Sequence, residues 1–350
     1  MITGKLERGW PYEAEPPDAD LLAERDWPRV ALVTPSYQQA GYLEETILSV
    51  LNQGYPHLDY YVIDGGSTDG SLAILQRYSD RLTHWESVAD RGQSHAVNKG
   101  WKRASATYLW WLNSDDLLTP GSIFKSVRYL EEHPESGLVF GNLHIIDEAG
   151  RILERRHFRA FDYPHMLRVG KDVPQAGALM RQTCLDRVGY LNEDLHLVMD
   201  LDYWHRLALA GIHIAYLPEP LALFRIYDET KTQSSPVNLI AERCQVAGSI
   251  CSHPSFQENY KHLEQDVWSN TYAACARGYA KAGAFGEGLR ACWRSLLHRP
   301  ARLFDGRWWY LIALNGVGIF LGREQWLQWR ARTRTRRAGP ASETNRENSQ

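Results

Sequence analysis

Two spacings of apolar residues alternate over the first third of the chain. VALVTPS is a short β-branched run ending at a proline, the pattern of a strand buried on both faces, and YLEETILSVLNQ after it carries apolar residues at helical spacing. YYVIDGGSTDGS repeats the plan: an apolar strand ends at Asp64, two glycines permit a tight turn, and SLAILQRYSD resumes helical periodicity. SHAVNKGWKRAS predicts a third helix, and TYLWWLN the strand that follows it. Such alternation predicts right-handed crossovers within a parallel sheet, whose ligands collect beyond the carboxyl ends of the strands. Pro35, Asp64 and Asp115 then fall on one edge of one sheet.

Past Asp116, GSIFKSVRYLEEHP reads as an amphipathic helix, SGLVFGNLHIID as a strand and EAGRIL as a hairpin turn. QAGALMRQTCLDRVGYLNEDLHLVMDLDYWHRLALAG predicts a strand, a short helix, a polar loop and a helix beginning near Asp200 and Asp202. The sheet domain is expected to close near AYLPEPLALFRIY, and from about Asn238 the pattern is helical. The expected organisation is an acidic, Pro-bearing lead-in over 1–27, a sheet domain over 28–235, a helical region over 236–332 and a disordered polar tail over 333–350.

The Trp-rich end, RWWYLIALNGVGIFLGREQWLQWRARTRTRRA, permits two readings. Its apolar core, broken by Asn315 and three glycines, is shorter than the ~20 residues of a spanning helix. Tryptophans at both ends and arginines after it suit peripheral contact of 307–337 with an anionic membrane interface. A helix packed on the preceding domain, with a basic solvated end, accounts for the same pattern.

Composition narrows the class. With 350 residues, 44% hydrophobic and 23% charged, the chain can bury a large domain and a smaller appendage. A net charge of −3 gives no electrostatic basis for a nucleic-acid partner. The five cysteines are odd in number and form no C-x-x-C pair, which argues against a disulfide framework or zinc site and for a reducing, cytoplasmic setting. No basic segment followed by an apolar core opens the chain, so no secretory signal is expected. The thirteen histidines show no paired zinc spacing.

LWWLNSDDLL ends an apolar run at two adjacent carboxylates, Asp115 and Asp116. Like charges disfavour each other's ionisation, and a divalent cation reverses that repulsion. In VIDGGSTDGS, Asp64 at the strand end can accept hydrogen bonds from a ribose or a base edge, while Asp69 reads as a helix cap.

VTPSYQQAGYLEETILSVLNQGYP, YYVIDGGSTDGS, DRGQSHAVNKG and YLWWLNSDDLLTPGS together resemble the successive signature segments of the family 2 glycosyltransferases, over roughly Arg29 to Tyr227 and in the family's order. The resemblance implies a GT-A fold, that is, an α/β, Rossmann-like, mostly parallel sheet flanked by helices, here with a C-terminal helical extension. It implies a nucleoside diphosphate sugar donor, a divalent cation (Mn²⁺ or Mg²⁺) and a saccharide or lipid-linked saccharide acceptor. Cysteine usage and the N-terminus set the expected place as cytoplasmic, and the C-terminal helix allows it to be peripheral on the inner face of a membrane. Pro35, Ser36 and Tyr37 would hold the nucleotide, Asp64 its base, and Asp90 to Gln93, including Arg91, would face the nucleotide or sugar, with Asn98 supporting that loop. The metal motif falls on Asn113, Ser114 and Asp115, with Asp116 next; for Asp116, capping of the following helix is the other reading.

In the same resemblance Asp200 matches the base that removes the acceptor's proton, and Asp202 and Trp204 face the acceptor. The structural alternatives are an Asp200 cap and an Asp202–Arg206 pair at i, i+4. Three positions depart from the pattern: Asn113 stands for the usual aspartate, Met199 for the acidic residue before the base, and Tyr227 for a histidine. Arg225 and Lys231 remain to neutralise phosphate. Those departures also suit a catalytically silent sugar-nucleotide or saccharide binding protein on the same fold. A nucleotidyltransferase would need a Gly-rich triphosphate loop, which VTPSYQQAGY lacks.

Overall fold

A computed structural model describes residues 10–13, 17, 19–170, 173–227 and 236–337, with the side chains of 236, 322–324 and 327–337 excepted. Lys231 and the segment 338–350 lie outside the described residues. The chain forms two compact units, 1–234 with 248–261, and 235–247 with 262–350.

The first unit is built on a sheet of β1 (Val30–Ser36), β2 (Leu58–Asp64), β3 (His84–Ser87), β4 (Tyr108–Trp111), β5 (Leu117–Leu118), β6 (Ser136–Ile146), β7 (Ile152–Arg156), β8 (Ala178–Arg181) and β9 (His213–Arg225). Their order is β3-β2-β1-β4-β8-β6-β9-β5, with β7 paired to β6. β1 to β4 pair in parallel, with α2 (Leu43–Leu51), α3 (Ser71–Tyr78) and α4 (Gln93–Arg103) as crossovers. The register sets Ser36 beside Asp64 and Asp64 beside Ser87, so three strand ends share one edge. Beyond β4 the sheet is mixed: β8 runs antiparallel to β4 and β6, β9 parallel to β6, and β5 antiparallel to β9. The turn expected at EAGRIL joins β6 to β7 as an antiparallel hairpin.

Every position of β1 is buried because helices cover both faces. On one face Leu32, Tyr60 and Trp110 pack with Leu43, Ile47 and Val50 of α2 and with Phe124 and Val127 of α5 (Ser122–Glu132). On the other, α4 comes so close to β1 at Gly100 that an added Cβ would stand 2.5 Å from Val33. The lead-in takes part in the core, contrary to its expected role: Trp27 is buried edge-on against Phe124, and the Trp10 indole donates to the Leu118 carbonyl at 2.7 Å. α6 (Tyr163–Val169), α7 (Gln182–Val188) and α8 (Met199–Leu209) complete the sheet unit, with α1 (Ala19–Ala23) before β1.

α9 (Pro236–Ser252) begins in the second unit, while its last residues and α10 (Pro254–Asn259) belong with the first. The second unit continues with α11 (Glu264–Ala282), α12 (Phe285–His298), a 3₁₀ turn at Pro300–Phe304 and α13 (Gly306–Arg337). Two of the positions that interrupt the apolar run, Gly318 and Asn315, are packing positions. Gly318 lies against the Phe285 ring, and buried Asn315 donates to the carbonyls of Ala276 and Leu311 at 3.3 and 2.9 Å. α13 reaches Arg337, past the expected start of the tail at 333. Among the described residues no helix is long and apolar enough to cross a membrane.

Candidate active site

The loops after β1 and β2 are laced together. Ser67 Oγ accepts from the Gln38 amide at 2.7 Å, Asp69 accepts from Ala40 at 2.8 Å, and Asp69 also accepts from the Ser71 backbone and hydroxyl at the start of α3. Pro35 is buried inside β1, whereas Tyr37 just beyond it is exposed. Asp64, expected to meet a nucleotide base, is instead wholly buried. Its carboxylate accepts from the amides of Gly66 and Ser67 and from the hydroxyls of Ser67 and Ser87, at 2.6–3.1 Å. It builds the loop because a strand-end carboxylate beside two turn amides finds its donors locally.

Asp90 lies over that loop: an added Cβ on Gly65 would stand 3.3 Å from its carboxylate, and its Oδ1 accepts from the Gly92 amide at 2.8 Å. Arg91 is exposed and ion-paired to Glu193. Asn98 reaches the Asp90 loop through Glu193, to which it donates at 3.1 Å and which is ion-paired to Arg91. The Asn98 amide also donates to Leu191 O at 2.9 Å and accepts from Leu191 N at 3.0 Å, while Ser94 donates to Leu195 O at 3.0 Å. α4 thereby pins the loop leading into α8.

Gln93 donates to Asn113 Oδ1 at 2.6 Å, and Asn113 Nδ2 donates in turn to Asp116 Oδ2 at 3.4 Å. Ser114 is buried behind them. Asp115 is half-buried and accepts from the Tyr227 hydroxyl at 2.9 Å; burial raises its pKa above the usual carboxylate range. Asp116, expected as a second metal ligand or a helix cap, does not cap the following helix, whose N-cap is Gly121. It is fully buried, its Oδ1 accepts from the Arg225 backbone at 3.1 Å, and burial, then the neighbouring Asp115 charge, push its pKa well up.

Arg225 is also not available to phosphate. It is buried at 1% exposure, donating through Nε to Asp115 O, through one terminal nitrogen to the carbonyls of Asp147 and Glu148, and through the other to Glu45 at 2.6 Å. Its guanidinium lies 4.7 Å from the Tyr42 ring centroid, and Tyr42 in turn packs against Tyr227. Sequence reasoning missed Glu45, Tyr42 and Gln39, the last of which donates to the Tyr227 hydroxyl at 3.2 Å. The only local trace was a carboxylate, Glu45, in the first turn of α2.

This donor set suits a cation of one kind. Mg²⁺ and Mn²⁺ are commonly held by one or two carboxylates together with substrate phosphates and water. Among the described residues no cluster of three or more His, Cys, Asp or Glu could hold a metal alone. Asp115 therefore fits an ion that arrives with a diphosphate.

On the other side of the sheet, Asp200 stands in the first turn of α8, half-buried, with Oδ1 accepting from Leu201 N at 2.8 Å; the helix has no side-chain cap. Asp202 is buried and pairs with Arg206 Nε at 2.9 Å, the i, i+4 alternative, and Arg206 also donates to the carbonyls of Val188 and Tyr190. Trp204 is buried and stacked on Trp111 at 5.6 Å and 12°, so it packs α8 onto β4 rather than walling an open acceptor site. That stack joins the Asp200 helix to Trp111, the last residue of β4, two positions before Asn113 in the chain.

Residues 31–189 match the family described as glycosyl transferase family 2. A Bacillus subtilis glycosyltransferase named for teichuronic acid biosynthesis, TuaG, is 36% identical over 108 residues, which are 30% of this chain and 43% of that protein. An uncharacterized glycosyltransferase of Rickettsia felis is 25% identical over 256 residues, 69% of this chain and 41% of its own. The matches thus span less than half the length of these two relatives. Among solved structures, S. aureus TarS 1-349 aligns with a TM-score of 0.58 at 16% identity, covering 86% of this chain and 91% of TarS 1-349. A mannosyltransferase of Pyrobaculum calidifontis, solved with GDP-Man and Mn²⁺, aligns at 0.55 and 18%, covering 86% and 92%. Likeness at that identity speaks for the fold alone, and the fold is GT-A. The segments in register and the match over residues 31–189, on a GT-A fold, support a family 2 glycosyltransferase domain within this chain.

Proposed function

We propose that the protein transfers one sugar, with inversion, from a nucleoside diphosphate sugar to a saccharide or lipid-linked saccharide acceptor in glycan biosynthesis, on the cytoplasmic side of a membrane. The observation that carries this reading is Asp115: a half-buried carboxylate at the strand edge, oriented by Tyr227 on its side chain and by Arg225 on its carbonyl. The complexes of TarS with UDP-GlcNAc and of the mannosyltransferase with GDP-Man and Mn²⁺ support a nucleotide-sugar donor and a divalent cation. TuaG's name supports a polysaccharide acceptor.

In this mechanism Tyr37, just beyond the strand that buries Pro35, and the laced loops wall the nucleotide, and Asp90 with Arg91 faces its ribose or sugar. Asp115 would hold the cation, which supplies positive charge to the departing diphosphate. Asp200 accepts the proton of the acceptor hydroxyl as that oxygen attacks the anomeric carbon opposite the leaving group. Asn98, Ser94 and the Trp111–Trp204 stack keep Asp200 at its working place.

Titration calorimetry with nucleoside diphosphates, with and without Mn²⁺, tests the donor site. Metal-dependent binding of one nucleotide is expected, and no binding to any would sink it. Asp200→Asn should abolish transfer and leave nucleotide binding nearly intact, whereas Asp115→Ala should weaken metal-dependent binding as well. Nucleotide binding by a wild-type protein that never transfers a sugar would favour the silent binding protein that Met199 suggests.

A further inference from the structure

We infer that the second unit presents a docking surface for an anionic lipid bilayer, formed by the outer side of α13 and the turn before it. Phe304 in that turn is 93% exposed, and Phe320 in α13 is 90% exposed. Trp309, Ala313, Gly316 and Phe320 follow at steps of four, three and four, so they share one stripe along the helix. The Trp309 indole donates to the Leu303 carbonyl at 2.8 Å, which sets the turn carrying Phe304 beside the start of the stripe. The opposite side, with Trp308, Leu311 and Leu314, already packs in the unit's own core. The outer aromatics are therefore not needed for that core, and leaving them in water is unfavourable.

Charge selects the occupant. Residues 285–337 contain eleven arginines, no lysine and three acidic residues, in a chain whose net charge is −3. Two of those acids, Glu287 and Asp305, are already paired with Arg290 and Arg302. A second copy of the chain would bring the same positive charge to an isologous contact and be repelled. Phosphate headgroups above hydrocarbon offer anions to the arginines and an apolar layer to the aromatics, with tryptophan at the depth it favours. Since no described helix can span, the helix lies along the surface.

The test is co-sedimentation of the full chain with phosphatidylcholine vesicles and with vesicles that also contain phosphatidylglycerol, at low and high salt. Binding is expected only with phosphatidylglycerol, weakened by salt, and about tenfold or more weaker in a Phe304→Ser, Phe320→Ser double variant that keeps its melting curve and its nucleotide binding. No binding at low salt overturns the inference. So does binding that the double variant leaves unchanged, since the arginines alone would then account for it. A wild-type dimer that the double variant splits, with no vesicle binding, would assign the face to a second copy instead. If the variant melts early, brominated phosphatidylglycerol decides on the wild type: quenching of tryptophan fluorescence supports insertion, and its absence refutes it. No arm depends on sugar transfer.

Discussion

The amide of Asn113 stands between a donor, Gln93, and an acceptor, the buried carboxylate of Asp116. An aspartate there would set a second carboxylate against the buried Asp116, so the departure from the common motif has a local cause. Asn113→Asp is expected to lower stability by about 1–3 kcal/mol in urea denaturation at neutral pH. Arg225 poses the converse case. Replacing it with methionine leaves Glu45 and the carbonyls of Asp115, Asp147 and Glu148 without their donor and should cost about 3–5 kcal/mol, part of which Glu45→Leu in the same chain recovers; a cost near zero would show that the ion pair is incidental. His205 sets an acid limit. Burial pulls its pKa down to about 3, with Nδ1 3.2 Å from the Tyr163 hydroxyl. In the unfolded chain it titrates near ~6.5, so between these values only the unfolded state takes up the proton. Stability present above pH ~6.5 should drain as pH falls, by about 2 kcal/mol at pH ~5, and His205→Gln should flatten that limb of the melting-temperature profile. Pro35, Asp64 and Asp115 could be placed on one edge from spacing, because each ends or follows a run whose periodicity marks it, whereas Asp90, beyond the unpatterned strand HWES, came only with the family resemblance. The inward turn of Asp116 had no such mark, since the Arg225 amide that donates to it lies 109 positions away; Asp64 takes most of its donors from Gly66 and Ser67, with only Ser87 distant, 23 positions on.

At the scale of elements, two junctions hold the site's edge. α4 reaches β1 only because position 100 is glycine, so Gly100→Ala should force the Val33 side chain aside and cost about 1–3 kcal/mol of stability, read by thermal melting. The Trp111–Trp204 stack joins α8 to β4. Trp204→Ala should destabilise by about 3–5 kcal/mol and lower transfer more than nucleotide binding, since it loosens the helix bearing Asp200 and leaves the Asn113–Asp116 turn in place. Strong periodicity made β1, β2, β4 and the helices between them legible. β3, HWES, is half-buried and lacks an apolar run, and β5 is two residues long, so neither carries a pattern that could be read without its partner strand.

Over the whole molecule, each compact unit has its own apolar cluster, one around β1 and α2, the other around α11, α12 and α13. Arg225 closes the first of them from the last strand of the sheet, joining Glu45 across 180 positions and Asp116 across 109. A chain growing from the ribosome completes β1 to β4, with Asp115 and Asp116 already at the strand end, long before the residue that offsets their charge has been made. The parallel half can collapse early, but its ligand edge must wait for β9, and such long-range closure is slow. Nascent chains arrested short of Arg225 are therefore expected to be compact, protease-sensitive at the Asp115 turn and unable to retain a nucleotide, and the donor site to be the last part of the sheet unit to mature.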